Sequence, residues 1–473
     1  MERLQKQIEF IIEIDKIKGI LRQGLVLNGK RQETDAEHSW HMAMCAVLLK
    51  EYYKEEVDMQ KVLKMILVHD IVEIVAGDTP AYGTFSQEEK EKNELIAAQK
   101  IYGILPEDQK EDLMNIWLEF EKGETKEAKF ANACDRFQGF IQNVTSDAHT
   151  WRKFHVTKSK LMNRMRPVFN FIPEVYYGYI QGYMKTYLEN GVVTDDKCVK
   201  LIVSDLDGTF LDGVSTSKYK KVPKINSEII NKLSEKGIGF VPASGRDLPS
   251  IKELLHDIKE IKYYSCFNGA RIFKGEELIY SEKMDKEMCL DILKKAIELD
   301  LKYSGTSGYD VCYSEMDKEY YTESSLKNSK YTFHSNENFD NLKAFDFEKM
   351  VFFGSEEKFK ILRKYVEEHY SDKVNIFGSG DNVMDIVSKK CSKGNSLRII
   401  ADDMGIATDE IMVFGDNEND LSMLLEAGYP VAMANSKDFV LEKIKAHTKK
   451  TNEDGGVGEY LLDFFHDKLK KYM

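Results

Sequence analysis

The hydrophobic pattern changes its period once, near residues 189–200 (ENGVVTDDKCVK), and a chain built this way cannot share one uniform architecture. Before that point apolar residues recur at helical spacing, as in VLKMILVHDIVEIV (62–75) and LMNIWLEFE (113–121), with little Gly or Pro between them. Beyond it, short apolar runs end on Asp, Ser, Gly or Asn: KLIVSDL, GIGFVPAS, IKYYSCFNGA and EIMVFGD. Helical stretches such as NSEIINKLSEKG separate them. Strands that alternate with helices build βαβ units and a parallel sheet, whose ligands bind at the carboxyl ends of the strands.

With 473 residues the chain is too long for one core. Residues 1–190 are expected to be all-α, with GDTPAYGTFSQEEKEKNE (77–94) breaking helix before Ser86 and Glu89 restart it. An α/β core of Rossmann-like type is expected over 198–282 and 383–473. A mixed α+β insertion over 283–382, rich in Tyr and Phe, leaves that core and re-enters it near SKKCSKGNSLRII. Such an insertion reads as a cap over the active site.

A formal net charge of −13 argues against binding a nucleic-acid polymer, because there is no Lys/Arg excess to release counterions. No apolar run approaches the ~18 residues of a membrane span. Seven scattered cysteines, none in a CxxC pair, point to reduced thiols and a cytoplasmic protein. The opening MERLQKQIEF is amphipathic rather than signal-like.

LIVSDLDGTFLDG (201–213) places Asp205 and Asp207 at the end of an apolar strand. A carboxylate there can attack phosphorus and form an aspartyl-phosphate, and a second one two residues on can move the proton. Ser244 in PASGR can hydrogen-bond the phosphoryl group, and Lys393 in CSKGN can neutralise its charge. Asp416 and Asp420 in VFGDNENDLSML add carboxylates, an oxygen set that suits Mg²⁺. DLDGT, ASGR, SKG and GDNENDLSML, in this order, resemble the four motifs of the Cof-type phosphatases of the haloacid dehalogenase-like superfamily. FNGA, VAMANS and TNEDGGVGEYL match further stretches of it. The resemblance implies Asp205 as nucleophile, Asp207 as acid/base, and Mg²⁺ held by Asp205, the Asp207 carbonyl and Asp416, with Asp420 in support. It adds Arg246, Asn268 and Asn395 as substrate contacts.

The first part of the chain offers TDAEHSWHMA (34–43), LVHDIVEIVAGDTP (67–80) and KFANACDRFQGF (129–140). They bring His38, His69, Asp70 and Asp135, and two imidazoles with two carboxylates suit a borderline divalent ion such as Mn²⁺, Co²⁺, Fe²⁺ or Zn²⁺. On a regular helix His69 and Asp70 would diverge by about 100°. AEHSWH and HDIVEIVAGDTP resemble the HD-domain phosphohydrolases, in the branch of the 5′-deoxynucleotidases. The resemblance implies those four residues as metal ligands, Glu73 as acid or water-positioning group, Asp78 as a sugar contact and Arg22 as a phosphate contact. It also implies a homodimer through the HD domain. His41 reads as a packing residue or a support to the ligands rather than a ligand, Arg31 as a phosphate-binding group or a partner of Glu33, and Trp40 as core.

The expected function is a bifunctional phosphohydrolase acting on small phosphate esters and nucleotides. The HD part would hydrolyse (deoxy)nucleoside 5′-monophosphates with metal-activated water, and the second part a small organic phosphate through Asp205. Two alternatives keep the second site: an HD domain acting on another nucleotide class, or one serving as a nucleotide-binding regulatory or dimerising module. Tyr303, Tyr309, Tyr313 and Tyr331 could stack on a substrate ring or simply pack.

Overall fold

Thr34 starts the helix that carries the first candidate histidine. Its hydroxyl accepts from the Glu37 N–H, and the Glu37 carboxylate accepts from the Thr34 N–H at 3.0 Å, a reciprocal cap. The computed structural model describes residues 2–27, 29–83, 86–213, 220–314, 331–335, 339–378 and 382–469. It divides into two units, Met1–Cys198 and Val199–Met473.

The first unit is helical: α1 (Glu2–Ile14), α2 (Asp35–Leu49), α3 (Met59–Val68), α4 (Glu73–Ala76), α5 (Gln87–Tyr102), α6 (Glu107–Lys122) and α7 (Lys126–Thr145) lead to further helices that include Lys158–Phe171. Two departures from the expected pattern matter for function. A short antiparallel hairpin, β1 (Leu21–Leu25) with β2 (Gln32–Thr34), stands in a stretch read as helical, and it carries Arg22. The run 62–75 is also not one helix: α3 stops at Val68, and tighter bonds follow, from Ile71 N–H to the Val68 carbonyl and from Glu73 N–H to the Asp70 carbonyl. Tightening to i→i+3 bonds changes the angle between successive side chains, which frees His69 and Asp70 from regular helical divergence. Helix α7 packs against α2, α3, α6 and Lys158–Phe171, so its buried face reaches all the candidate ligands.

The second unit has a parallel sheet in the order β15–β14–β3–β4, from Tyr429–Ala432, Ile411–Gly415, Leu201–Ser204 and Gly239–Pro242. Strands β3 and β14 are buried along their whole length, as both faces of a parallel sheet require. A bridge from Ala243 to Ser265 leads to the antiparallel group β5 (Tyr263–Cys266), β6 (Arg271–Lys274) and β7 (Glu277–Ser281).

The insertion forms its own sheet in the order β10–β9–β8–β11–β13–β12: Thr332–Ser335, Asp310–Tyr313, Lys302–Ser307, Lys349–Phe353, Val383–Ser388 and Val374–Gly378. Helices Lys286–Glu298 and Glu356–Tyr370 contribute to its separate apolar core. The expected return to the α/β core at 383 falls inside this sheet. Strand β13 pairs with β11 and β12, so the core resumes only with the helix Lys393–Met404. The edge of a hairpin looks like a fresh βα unit in sequence, because a buried strand reads alike in either sheet. Tyr303 is buried in this core, while Tyr309 and Tyr331 meet edge-on at 5.4 Å.

Candidate active sites

In the helical unit, His38, His69 and Asp135 bring ligand atoms within 4.8 Å of one another. His38 Nε2 stands 3.1 Å from Asp135 Oδ1 and 3.8 Å from Asp70 Oδ2, and His69 Nε2 stands 3.0 Å from Asp70 Oδ2. Both Nε2 atoms are buried, yet neither makes a hydrogen bond of acceptable geometry. Buried polar atoms left this way call for a partner, and the convergence of two ring nitrogens and two carboxylates fits a borderline divalent ion. The opposite edges of the rings are spoken for. His69 Nδ1 donates to the Ile66 carbonyl at 2.8 Å, and His38 Nδ1 lies 2.8 Å from Gln138 Oε1.

Beside this group Asp35, Asp70 and Glu73 converge within 4.8 Å. Arg22 Nη1 donates to Asp35 Oδ1 at 3.0 Å and also to Asp70. Burial, then the neighbouring Asp70, pushes the Glu73 carboxyl up to about 11. That shift favours the protonated form, the one that can donate a proton. Burial would also raise Asp70, but His69 and Arg22 overcome it and hold that carboxyl below the usual range. The structure thus brings together His38, His69, Asp70, Asp135, Glu73 and Arg22. Asp78 is also raised, chiefly by burial, and its Oδ2 has no hydrogen-bond partner.

His41 sits 3.2 Å from Gln138 Nε2, outside the ligand group. Arg31 pairs with Glu37 rather than Glu33. Trp40 is 68% exposed and is not core. Asp35 and Gln138 were missed from sequence. Their signals were weak but present: Asp35 lies three residues before His38, and Gln138 three after Asp135, each on the same helical face.

In the second unit Asp205 follows β3 directly. Lys393, the first residue of its helix and fully buried, donates to Asp205 and to Asp420 Oδ1 at 2.7 Å. Asp205, Asp416 and Asp420 offer oxygens within 4.8 Å of one another, an all-oxygen set that fits Mg²⁺. Asp420 Oδ2 accepts from the N–H groups of Asp416 and Asn417 at 2.9 and 3.0 Å, so this side chain shapes the turn and supports its neighbours. Thr209 Oγ donates to Asp416 Oδ1 at 2.6 Å. Burial first, and nearby carboxylates next, raise Asp205 well above its ordinary range and Asp416 to about 7. A cation in this cradle would stabilise the charged forms.

Asp207 is held apart from that cluster. Arg246 donates to it through Nε at 2.7 Å and Nη2 at 2.8 Å, and Lys220 also donates. Burial would raise this carboxyl, but Arg246 and Lys220 overcome it and hold it below the usual range. Ser244 Oγ accepts from the Arg246 N–H at 3.2 Å, fixing the turn between them. Asn268, at φ +53°, accepts from Asn419 at 3.2 Å, between Asp416 and Asp420 in sequence. Asn395 is different: its amide donates to the Lys390 carbonyl at 3.0 Å, so it serves the start of its own helix. Lys220, Thr209 and Asn419 were not singled out from sequence.

Comparisons with known proteins agree with both halves. The haloacid dehalogenase-like hydrolase family matches residues 202–461, and the HD domain matches residues 14–175. A protein of Buchnera aphidicola subsp. Baizongia pistaciae (strain Bp), named provisionally as a phosphatase, is 32% identical over 284 residues, 57% of this chain and 99% of its own. The human 5′-deoxynucleotidase HDDC2 is 29% identical over 136 residues, 28% of this chain and 65% of its own. A haloacid dehalogenase-like hydrolase from Bacteroides thetaiotaomicron, 25% identical, covers 56% of this chain and 100% of its own at a TM-score of 0.49. With a matched HD domain ahead of a longer matched hydrolase region, the chain is a phosphohydrolase and belongs to the haloacid dehalogenase-like hydrolase family.

Proposed function

We propose that the chain carries two phosphomonoesterase sites, one in each unit. The observation that supports this reading is that each cluster holds the groups the chemistry needs: Asp205, Asp207 and the Lys393 ammonium in the second unit, and a converging His/Asp group beside the buried Glu73 in the first.

In the second unit an Asp205 oxygen attacks phosphorus, the bond to the leaving oxygen breaks, and that oxygen takes a proton from Asp207. Water then loses a proton to Asp207 and attacks the phosphoryl group, releasing phosphate and restoring Asp205. Arg246 and Lys220 hold Asp207 ionised in the free protein, so the proton for the first step arrives with the substrate's phosphoryl group. Lys393 and Ser244 bind phosphate oxygens, and the family resemblance adds Asn268 as a substrate contact. Asp205, Asp416 and the Asp207 carbonyl would hold Mg²⁺, which would supply charge neutralisation. The substrate is a small organic phosphate admitted under the cap, which spans roughly 283–388 by its sheet.

In the first unit we infer hydrolysis of deoxynucleoside 5′-monophosphates. His38, His69, Asp70 and Asp135 would hold a Mn²⁺-, Co²⁺-, Fe²⁺- or Zn²⁺-type ion, whose chemistry would be to lower the pKa of a water toward neutral pH. Glu73 gives its proton to the leaving 5′-oxygen, Arg22 meets the phosphate and Asp78 the sugar. The likeness of this part to a 5′-deoxynucleotidase supports the substrate class. The irregular spacing of the seven cysteines supports a cytoplasmic setting. Exposed Ile8, Ile11 and Ile12 on α1 and Trp40, Val47 and Leu48 on α2 support a homodimer through this unit. Light scattering tests that contact: Trp40→Glu with Leu48→Glu should give monomers.

The test of function is phosphate release from a panel of deoxynucleotides, ribonucleotides and small esters with Mg²⁺, Mn²⁺ or Co²⁺. Deoxynucleotide cleavage should vanish in Asp70→Asn alone, and cleavage of another ester in Asp205→Asn alone. If every activity depends on Asp205, the HD unit is a binding or regulatory module instead.

A further inference from the structure

We infer that Lys349 and Asp385, two buried residues of the insertion, clasp it onto the core loops that carry the chemistry and so position the Ser244–Arg246 turn. Lys349 opens β11 and Asp385 lies in the paired strand β13. Their side chains are 1% exposed and form an ion pair at 2.8 Å. Each also reaches out of the insertion. Lys349 Nζ donates to the Gly245 carbonyl at 3.0 Å and stands 5.5 Å above the Phe267 ring. Asp385 Oδ2 lies 3.4 Å from Asn268 Nδ2, and a Cβ built on Gly245 would come within 3.6 Å of that same oxygen.

The destinations of these bonds carry the inference. Gly245 joins Ser244, the phosphate-binding hydroxyl, to Arg246, the bidentate partner of Asp207. Asn268 accepts from Asn419, in the turn between Asp416 and Asp420. One ion pair in the insertion therefore touches the Gly245 backbone beside Arg246, and through the Asn268 side chain it reaches Asn419 in the loop that carries Asp416. Stability alone is a poor reason for such a pair. Two charges buried at 1% exposure cost several kcal/mol each to desolvate, and apolar residues of similar volume often do as well. The pair instead gives the insertion a fixed, polar and geometrically demanding seat on the core. Lys349 and Asp385 are positioning residues: they touch no reacting atom and act through Gly245 and Asn268.

This inference rests on the reading of Asp205 as a phosphomonoesterase nucleophile, so the test needs a readout that does not depend on turnover. Full-length Lys349→Met, Asp385→Asn and the apolar double variant Lys349→Met/Asp385→Leu are compared with wild type. Thermal melting, kcat and KM on the best ester of the panel, and amide exchange by mass spectrometry over 243–247 and 266–270 are measured. Removing both charges avoids a stranded buried ion, so the double variant should melt close to wild type. It should nevertheless lose about 10²-fold in kcat, the cost of a misplacement near 1 Å, with a smaller change in KM, and exchange in both segments should quicken. Wild-type kcat in the folded double variant, or unchanged exchange in those segments, overturns the clasp. If the wild type cleaves no ester through Asp205, the functional reading falls and exchange alone decides the clasp, faster exchange supporting it and unchanged exchange ending it.

Discussion

Gln138 Oε1 lies 2.8 Å from His38 Nδ1. The other end of the same amide donates to Glu33 Oε1 at 2.9 Å and faces His41 Nδ1 at 3.2 Å. The amide is thus oriented by three neighbours, and its oxygen must accept from His38. The ring proton then sits on Nδ1, and Nε2 turns a lone pair toward Asp135 and Asp70. Gln138→Leu should weaken metal binding in the first unit by about 10–100-fold while leaving the fold intact. Titration calorimetry with Mn²⁺ in an Asp205→Asn background would show it. An unchanged affinity would mean that Gln138 is only packing.

Gly208 sits at φ +88°, and a Cβ there would meet Asp416 Oδ2 at 2.7 Å. Gly208→Ala brings both backbone strain, roughly 1–2 kcal/mol, and a clash with a metal-site carboxylate. Mg²⁺-dependent ester cleavage should collapse while cleavage that depends on Asp70 persists. A kinetic comparison of the two activities in the one variant checks this.

Asp416, raised to about 7 by burial and by Asp420, binds a proton that Mg²⁺ must displace. Apparent Mg²⁺ affinity should therefore weaken as pH falls below about 7 and level off above it. The sign for stability follows from the same shift. A carboxyl raised above its unfolded value of ~3.9 favours the metal-free fold at low pH, and that advantage is lost as pH rises toward about 7. Mg²⁺ should raise the melting temperature more near pH 8 than near pH 6, and melts with and without the ion across that range would reveal it.

Arg246 grips Asp207 through two nitrogens, at 2.7 and 2.8 Å. Arg246→Met should lower kcat/KM by about 10²-fold and move the acidic limb of the pH profile upward, because Asp207 loses the cation that holds it low. A change in KM alone, with the profile in place, would mean that Arg246 serves substrate binding and not the proton carrier.

Local chemistry was readable from the residues alone. Asp205 closes an apolar run, Ser244 and Lys393 follow in order, and each lands at the end of a strand or the start of a helix. That holds because strand ends, caps and helix starts are decided by neighbours a few residues away. The candidate ligands His38, His69, Asp70 and Asp135 were legible for the same reason, since each lies in a short stretch of distinctive composition. Their convergence was expected from the family resemblance alone, and no single stretch shows it, because it depends on α3 stopping at Val68 and on α7 packing across α2 and α3.

What only the tertiary structure decided were contacts between residues 100 to 151 positions apart: Gln138 on His38, Lys349 on Gly245, Asn419 on Asn268. It also decided that β13 belongs to the insertion and that Trp40 faces out. A hydrophobic pattern records that a side chain avoids water, not which surface covers it. Sequence therefore determined the two sets of candidate groups and their order along the chain, and packing determined how each group is oriented and what charges surround it.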